Sequence, residues 1–532
     1  MSSDSNDEFR ANASDLEVLA ADGKLEMISE ITPEMLNPEL VAEIPREWAE
    51  THLMLPVRYH GEVCVLMGNP KDNAGLDYLV SLLGIQSNPV LAPPELVMQA
   101  IQQDYTALQE SPHAFLGKLD KKGLSISKKM ASDQVADLLQ MAESSPVIQL
   151  VNLILLEAVK SGASDIHVEP FESRLRVRYR IDGLLYELAK PPKDVEAALI
   201  SRLKIMARMD ISERRLPQDG VARIRVGDRE IDIRVSSVPV AEGERIVLRI
   251  LNRDSTLLSL ADLGMSADIL KQWQTLIQQP NGIILVCGPT GSGKTTTLYS
   301  SIQLLDYNTT NILTIEDPIE YQLPNIGQIQ VQPKIGMTFA NGLRHILRQD
   351  PDVILVGEIR DFETAQIAVQ SSLTGHLVFS TLHTNDTSNA VIRIMDMGVE
   401  PYLLASSLRG VMAQRLVRRL CPKCRVPAML TASEQEILAQ WKDKIAPEKI
   451  LAPTGCEACL AGYHGRVGLY ELMVVDADIF EKLRVRQSSC REIRQLSIHN
   501  GMRSMWEDGL EKMEQGITSL NEIMRTIGII NA

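Results

Sequence analysis

The stretch Ile283–Thr297, IILVCGPTGSGKTTT, decides how the rest of this chain is organised. Its opening apolar run is continuous rather than alternating, which predicts a strand buried on both faces with a helix behind it. Between the two lies a loop that matches GxxxxGK followed by serine or threonine. In such a loop, backbone N–H groups turn inward around phosphates at the positive end of the helix. A tight structural turn with a surface lysine would need only part of this pattern, so the stretch predicts a nucleoside triphosphate site.

The loop residues have expected roles in holding a nucleoside triphosphate and its metal ion. Lys294 would reach the β- and γ-phosphates, and Thr295 would place its hydroxyl on Mg²⁺. The predicted nucleotide-binding residues of the loop are Gly288, Pro289, Thr290, Gly291, Ser292, Gly293, Lys294 and Thr295.

Three more strand-like runs follow, NILTIEDP, DVILVGEIRD and HLVFSTLHTND, at the spacing of a parallel, doubly wound sheet. Each ends in polar residues, and the carboxyl ends of such strands are where the sheet places its active site. The second run has the form of a Walker B strand, in which Glu358 would orient water or help to hold the ion. At the end of the first run, Glu316, Asp317 and Glu320 are candidates for contacts to Mg²⁺ or water. Taken singly, each of these acids could equally be a helix cap or a surface residue.

Arginines and histidines near these runs have two interpretations. Arg344 and Arg348 lie four residues apart on a predicted helix, where like charges repel slightly. They form either a solvated pair or a pair that faces a triphosphate or a neighbouring subunit's acids. His376 starts the third run and His383 ends it, so a regular strand points them to opposite faces and a shared metal ion is not expected. Spacing alone predicts ordinary hydrogen-bonding histidines.

Four of the seven cysteines form two CxxC pairs, Cys421 with Cys424 and Cys456 with Cys459. Two such pairs can supply the four thiolates of a closed, tetrahedral, structural Zn²⁺ site. An iron–sulfur cluster and free thiols are the alternatives. The pattern therefore predicts a zinc knuckle without an open catalytic position.

Length and charge restrict the number of domains and the class of protein to which this chain can belong. A chain of 532 residues exceeds what one core normally holds, which predicts several domains. The net charge of −15 argues against a general nucleic-acid coat. The polar, acidic start MSSDSNDEFRANASDLEV does not resemble a secretory signal, and no 18 apolar residues run together. We therefore expect a cytoplasmic protein that reaches a membrane only through a partner.

The first half of the chain contains two further α/β segments. LMLPVRYHGEVCVLMGNP predicts two strands around His60-Gly61, and its surroundings carry no catalytic constellation, so docking is the expected role. Later, RLRVRYRIDG alternates, which lines up arginines on one face of a strand. That row is either solvated or ion-paired, or it is functional. Its members are Arg174, Arg176, Arg178 and Arg180.

The ordered motifs resemble those of the secretion traffic ATPases, which drive type II secretion and type IV pilus assembly. They are GPTGSGKT (288–295), TIEDPIEY (314–321), LRHILRQDPDVILVGEIRD (343–361) and TGHLVFSTLHTND (374–386), followed by the tetracysteine insert. SDIHVEP, RIDG, ERRLPQDG and IDIRVSSVP extend the resemblance over roughly residues 141–530. Ile44 to Tyr105 resembles the family's N-terminal docking domain more loosely.

The resemblance implies roles for single residues. Residues 316–320 match the family's aspartate box, Glu358 its catalytic glutamate, and 375–384 its histidine box. The resemblance implies that His376 helps to bind the nucleotide and that His383 acts in catalysis. Arg234 and Arg249 match arginines that the family's second domain sends to the nucleotide phosphates. Further basic positions that match are Arg344, Arg348 and Arg360. The sequence departs from the family after PQDG, where Val221 stands in place of an arginine and Arg223 comes two residues later, so neither is assigned a role.

The implied fold class is α/β, with a RecA-like P-loop motor domain, a PAS-like α+β domain before it and a small N-terminal α/β docking domain. The predicted segments are a mobile tail (1–35), the docking domain (36–108), a linker (109–140), the PAS-like domain (141–252), the ATPase domain (253–420), the tetracysteine zinc insert (421–459) and the C-terminal part of the ATPase domain with a helical cap (460–532).

The implied activity is that of a hexameric Mg²⁺-ATPase at the cytoplasmic face of the inner membrane. The N-terminal domain would bind an inner-membrane platform protein, and hydrolysis would power assembly of pilin-like subunits for type II secretion. The alternatives are type IV pilus assembly, a nucleic-acid translocase on the same fold, and a nucleotide-gated scaffold in which Glu358 is idle. No direct contact with nucleic acid is expected.

Overall fold

The computed structural model describes residues 26–28, 31–32, 35–36, 38–41, 44, 46–85, 88–107, 136–137, 146–226, 229–252, 258–439, 441, 449–485 and 488–528. Most of the predicted tail and linker therefore lies outside the described residues. The chain divides into two compact units, residues 1–252 and 253–532. Within the described ranges, no helix is both long and apolar enough to cross a membrane.

The first domain of unit 1 is a small four-stranded sheet with helices. Its elements are β1 (Glu26–Met27), α1 (Pro38–Val41), α2 (Arg46–His52), β2 (Met54–Tyr59), β3 (Glu62–Met67), α3 (Asn73–Leu83), β4 (Pro89–Leu91) and α4 (Pro94–Ala107). The strand order is β1-β4-β3-β2. The turn between β2 and β3 falls at His60 and Gly61, both at positive φ, as the sequence predicts. Strand β1 lies inside the predicted tail, so this sheet begins before the predicted boundary at residue 36.

The second domain of unit 1 has a seven-stranded sheet in the order β5-β9-β10-β11-β6-β7-β8. Its elements are β5 (Ala136–Asp137), α5 (Pro146–Lys160), β6 (Asp165–Pro170), β7 (Leu175–Ile181), β8 (Leu184–Ala189), α6 (Glu196–Met206), β9 (Gln218–Val226), β10 (Arg229–Val240) and β11 (Gly243–Asn252). In β7, Leu175, Val177, Tyr179 and Ile181 are buried against α5 and α6, and the arginines between them point to the other face. Strand β5 lies within the predicted linker and pairs with β9.

Unit 2 is built on a second seven-stranded sheet. Up to the cysteines its elements are α7 (Ala267–Ile277), β12 (Gly282–Cys287), α8 (Lys294–Ile302), β13 (Ile312–Glu316), β14 (Gly327–Gln330), α9 (Phe339–Ile346), β15 (Val353–Val356), α10 (Phe362–Leu373), β16 (Leu377–Leu382), α11 (Thr387–Asp396), α12 (Pro401–Ser407) and β17 (Leu408–Leu420). The remaining elements are β18 (Arg425–Pro427), α13 (Ala432–Ala439), β19 (Leu451–Pro453), β20 (Tyr463–Val474), α14 (Ala477–Leu483), α15 (Cys490–His499), α16 (Met505–Glu514) and α17 (Leu520–Ile527).

The order of this sheet is β14-β13-β15-β16-β12-β17-β20, parallel except for β20. Strand β12 is buried along its whole length because apolar helices cover both faces, as its continuous apolar run predicts. Strand β16 separates β12 from the Walker B strand β15. The carboxyl ends of β12, β16 and β15 therefore lie side by side at one edge of the sheet.

Candidate active site and metal centre

The loop between β12 and α8 has the backbone conformation that its glycines permit. Gly288, Gly291 and Gly293 have φ values of 155°, 78° and 87°. A Cβ atom on Gly288 would lie 2.5 Å from the carbonyl oxygen of Gln414, so the neighbouring strand leaves no room for a side chain there. Gly293 precedes the first residue of α8, which places the start of the helix at the loop. The loop therefore closes over a helix N-terminus, as the motif predicts.

Lys294 points into this loop. Its Nζ atom donates hydrogen bonds to the carbonyl oxygens of Gly288 at 2.8 Å and of Pro289 at 3.1 Å. The side chain is buried, and this burial lowers the pKa of Lys294. The buried hydroxyl of Ser292 has no hydrogen-bond partner among the described residues. A donor without an acceptor beside a desolvated ammonium fits an anion in the loop, because phosphate oxygens would satisfy both.

Glu358 lies just beyond β15 and meets two donors. Arg360 forms an ion pair with its carboxylate, and Nε2 of His383 lies 3.2 Å from its Oε2 atom. The hydrogen bond to Glu358 raises the pKa of Arg360. His383 reaches Glu358 because it follows β16, the strand between β12 and β15. The structure thus brings together Lys294, Glu358 and His383 at the edge predicted to carry them.

Glu316 is the buried last residue of β13, and three side chains hold its carboxylate. Its buried carboxylate accepts hydrogen bonds from the hydroxyl of Tyr299, from Oγ1 of Thr314 at 2.6 Å and from Nε2 of Gln328 at 3.1 Å. These donors use both oxygens and link α8 to β13 and β14. These contacts give Glu316 a structural role, and its candidate role in contacting Mg²⁺ or water stays a prediction. Asp317 and Glu320 are exposed.

Replacing Tyr299 with phenylalanine removes one donor to the buried Glu316 carboxylate. We expect this change to lower the free energy of unfolding by about 1–3 kcal/mol, the usual cost of leaving a buried polar group short of a hydrogen bond. Urea unfolding of the purified chain, followed by circular dichroism, measures the effect. Tyr307→Phe is the matched control, because that ring is exposed. Equal unfolding midpoints for the two variants would contradict the structural role of the Tyr299 hydroxyl.

His376 lies at the opposite end of β16 from His383. The strand between them has six residues, so about 20 Å separates the two histidines. Nδ1 of His376 lies 2.9 Å from the carbonyl oxygen of Ser371, close to the end of α10. The expected part of His376 in binding the nucleotide is therefore corrected: in this chain it lies at the amino edge of the sheet, away from Lys294.

The four predicted metal-binding cysteines form one cluster. Their sulfur atoms all lie within 4.8 Å of one another. The sulfurs of Cys421 and Cys456 are 3.9 Å apart, and that of Cys459 lies 3.6 Å from those of both Cys424 and Cys456. Zn–S bonds of about 2.3 Å in a tetrahedron place sulfurs about 3.8 Å apart, whereas a disulfide needs about 2.05 Å. The geometry fits a four-thiolate metal site.

The cysteine insert is not a separate domain. Leu438 and Ile450 from the insert share an apolar cluster with Trp506, Leu510 and Met513 of α16. The backbone beside the cysteines is held as well, because Arg425 donates to the carbonyl oxygen of Gly516 at 2.7 Å. The apolar cluster and this hydrogen bond therefore hold the insert against the C-terminal helices.

Comparison with known proteins places most of the chain in one family. A model described as "Type II/IV secretion system protein" matches residues 140–525. The chain belongs to this secretion system family. A second model, the MshEN domain, matches residues 27–110 of the same chain. The family assignment agrees with the resemblance seen in the ordered motifs.

Two relatives of this secretion system protein differ in how much of it they match. This chain is 51% identical to type II secretion system ATPase E of Vibrio cholerae over 74% of its own length and 77% of the relative. It is 43% identical to the type IV pilus assembly ATPase PilB of Myxococcus xanthus over 92% of this chain and 87% of the relative. Among solved structures, the X-ray structure of the Legionella pneumophila ATPase DotB is similar, with a TM-score of 0.54 at 22% identity, over 74% of this chain and 99% of that one. The last likeness concerns the fold alone.

The two arginines that the family resemblance assigns to the phosphates lie in unit 1. Arg234 on β10 is directly opposite Arg249 on β11, so their side chains share a face of the sheet. Nε of Arg249 lies 2.9 Å from Oδ1 of Asp165, and Nε of Arg180 lies 3.8 Å from Oδ2 of the same residue. Their role toward the nucleotide in this secretion system protein stays a prediction.

Several other arginines that the sequence brings to attention are ion-paired. Buried Glu169 lies 3.0 Å from Arg176, 2.8 Å from Arg178 and 2.9 Å from Arg245. This confirms the ion-paired interpretation of the β7 row for these members. In unit 2, Arg344 reaches Glu363 at 2.5 Å. Arg348 donates to the carbonyl oxygen of Arg344 at 2.9 Å. Both arginines of the predicted pair thus contact residues of unit 2 in this structure.

Sequence reasoning missed Gln414, Arg415 and Asn385, all of which lie beside the site. Gln414 is buried against the P-loop, and Arg415 contacts Asn385 in the segment after β16. They belong to β17 and to the residues after His383, and no local motif marks their proximity. Only the pairing of β12 with both β16 and β17 brings them together.

Proposed function

We propose that this chain is an ATPase that powers assembly of pilin-like subunits for type II protein secretion. The observation that carries the proposal is the placement of Lys294, Glu358 and His383 at adjacent strand ends in the part of the chain that the family model matches. The sequence identity to a relative named as a type II secretion system ATPase supports type II secretion as the process that this ATPase would power.

The chain's own residues divide the work of hydrolysis. The P-loop amides and Lys294 bind the phosphates, and the Thr295 hydroxyl would hold Mg²⁺ at the start of α8. Bound Mg²⁺ supplies positive charge to the phosphoryl group that is being transferred. Glu358 orients the attacking water and acts as the general base that takes up its proton, and His383 and Arg360 hold its carboxylate in place. Asp317 and Glu320, which are exposed, remain candidates for outer contacts to the ion or its water.

The rest of the chain would couple this reaction to secretion. Arg234 and Arg249 would close over nucleotide bound to unit 2 and link hydrolysis to motion of unit 1. The protein would work as a homohexamer at the cytoplasmic face of the inner membrane, where its N-terminal domain docks on a platform protein. Zn²⁺ in the four-cysteine cluster would be structural. No role for nucleic acid is part of the proposal.

Type IV pilus assembly is the second candidate. The relative that supports it aligns with 92% of this chain, which includes most of the N-terminal half. If the N-terminal half determines the partner, this longer match favours the pilus machinery. Both candidates share the same ATPase chemistry and differ only in the membrane platform.

The first test measures Mg²⁺-ATP turnover of the purified chain as a function of protein concentration. We expect turnover per chain to rise with concentration, because the proposed hexamer forms only as the concentration of chains increases. Turnover per chain that is independent of concentration would contradict a requirement for a hexamer.

The partner is then identified by adding the cytoplasmic domain of a type II secretion platform protein or of a pilus platform protein. Stronger stimulation by the first supports the proposal, and stronger stimulation by the second supports the alternative. Salt-sensitive stimulation by DNA would instead favour the translocase.

A further inference from the structure

Gln414 and Arg415 are consecutive residues of β17 at the point where this strand passes the P-loop. The last residue of β12, Cys287, pairs with Ala413, so the next two residues of β17 lie beside Gly288 and the loop. Successive residues of a strand point to opposite faces of the sheet. The dipeptide thus faces the P-loop helix on one side and the residues after β16 on the other.

Gln414 is fixed to the P-loop. Its side-chain Oε1 atom accepts a hydrogen bond from Oγ1 of Thr297 in α8 at 2.9 Å, and it is buried. Its carbonyl oxygen and its Nε2 atom would lie 2.5 Å and 2.9 Å from Cβ atoms on Gly288 and Gly293. Gln414 therefore packs against both ends of the glycine loop and leaves little freedom between β17 and the loop.

Arg415 is fixed to the histidine loop, which we define as residues 383–386 between β16 and α11. Its Nη2 atom donates to Oδ1 of Asn385 at 2.8 Å, and its Nη1 atom lies 3.4 Å from the carbonyl oxygen of Gln414. Both acceptors are neutral, and burial lowers the pKa of Arg415. The half-buried guanidinium of Arg415 thus holds the histidine loop in place. The first residue of this loop, His383, contacts Glu358.

We propose that Arg415 is a positioning residue for ATP hydrolysis. It joins the histidine loop to the strand that Gln414 fixes to the P-loop, so that His383 and Glu358 keep their place relative to Lys294. The proposal rests on the ATPase function proposed above. Arg415 acts through Asn385 and need not touch the nucleotide.

The test compares Arg415→Ala, Asn385→Ala and the double variant in the full-length chain. We expect each to lower kcat for Mg²⁺-ATP by about tenfold, the size expected when one hydrogen bond of a charged group is lost, with KM changed less than about twofold. The double variant should be no worse than either single variant, because both break the same contact. Asn385→Asp keeps an acceptor oxygen and should retain most of the turnover. Arg419→Ala, an exposed arginine on the same strand, is the control and should behave as wild type.

A direct role in nucleotide binding would give a different pattern. Arg415→Ala would then raise the dissociation constant of a fluorescent ATP analogue while Asn385→Ala would not, and this result would overturn the proposal. Wild-type kcat in Asn385→Ala would overturn it as well. Amide hydrogen exchange of residues 383–387 adds a readout that does not need turnover: it should rise in both single variants. If the wild-type chain has no turnover, the proposed function fails, whereas unchanged exchange would reject the positioning role by itself.

Discussion

We expect replacement of Glu358 by glutamine to lower ATP turnover by about 10²- to 10⁴-fold, the range in which a positioned acid–base group acts, and to leave ATP binding intact. The amide keeps the size of the side chain and its contact with His383. It cannot draw a proton from water, and it loses the ion pair with Arg360. Steady-state phosphate release measures turnover, and equilibrium titration with a fluorescent ATP analogue measures binding.

The control for this variant is Glu481→Gln, which changes an exposed glutamate of α14 that forms an ion pair with the exposed Arg484. Its turnover should equal that of wild type. Lys294→Ala should lose both binding and turnover, because Lys294 lies inside the phosphate loop. If Glu358→Gln keeps wild-type turnover, the assignment of this residue is wrong and the nucleotide-gated scaffold becomes the better interpretation.

We expect replacement of Cys456 by serine to abolish zinc binding by the four-thiolate site and to loosen the C-terminal part of unit 2. A thiolate lost from a four-thiolate site weakens binding strongly, and the free energy of structural zinc binding is itself folding energy, about 10–16 kcal/mol in small zinc domains. Without the metal, the insert is held against α16 only weakly, and the apolar cluster that they share packs less tightly. We expect about one zinc per chain in wild type by elemental analysis and almost none in the variant, with a lower thermal midpoint and faster proteolysis within residues 421–459.

Cys490→Ser is the matched control, because Cys490 lies at the start of α15 outside the cluster. This variant should keep its zinc. Visible absorption and iron in the purified chain would point to an iron–sulfur cluster instead. If the folded chain as purified contains no metal and all four thiols of the cluster react freely, the cluster binds no metal.

Local patterns in the sequence determined the parts of the site that are contiguous along the chain. The continuous apolar run before Gly288 and the glycine loop specify a buried strand and a phosphate loop. The apolar run before Glu358 specifies a strand that ends in an acid, and the CxxC pairs specify two half-sites for one metal ion. Each of these depends on residues a few positions apart, so backbone geometry and side-chain chemistry suffice to predict them.

Only the tertiary structure decided which of these pieces meet. Insertion of β16 between β12 and β15 brings His383 to Glu358 and leaves His376 at the far edge. The packing of Tyr299 and Gln328 around Glu316 gives this carboxylate a structural role that its local sequence does not indicate. The position of Arg415 beside Asn385 likewise has no local signature. Strand order is set by hydrogen bonds and apolar packing between segments distant in sequence, and a local pattern carries no information about which segment will be the neighbour.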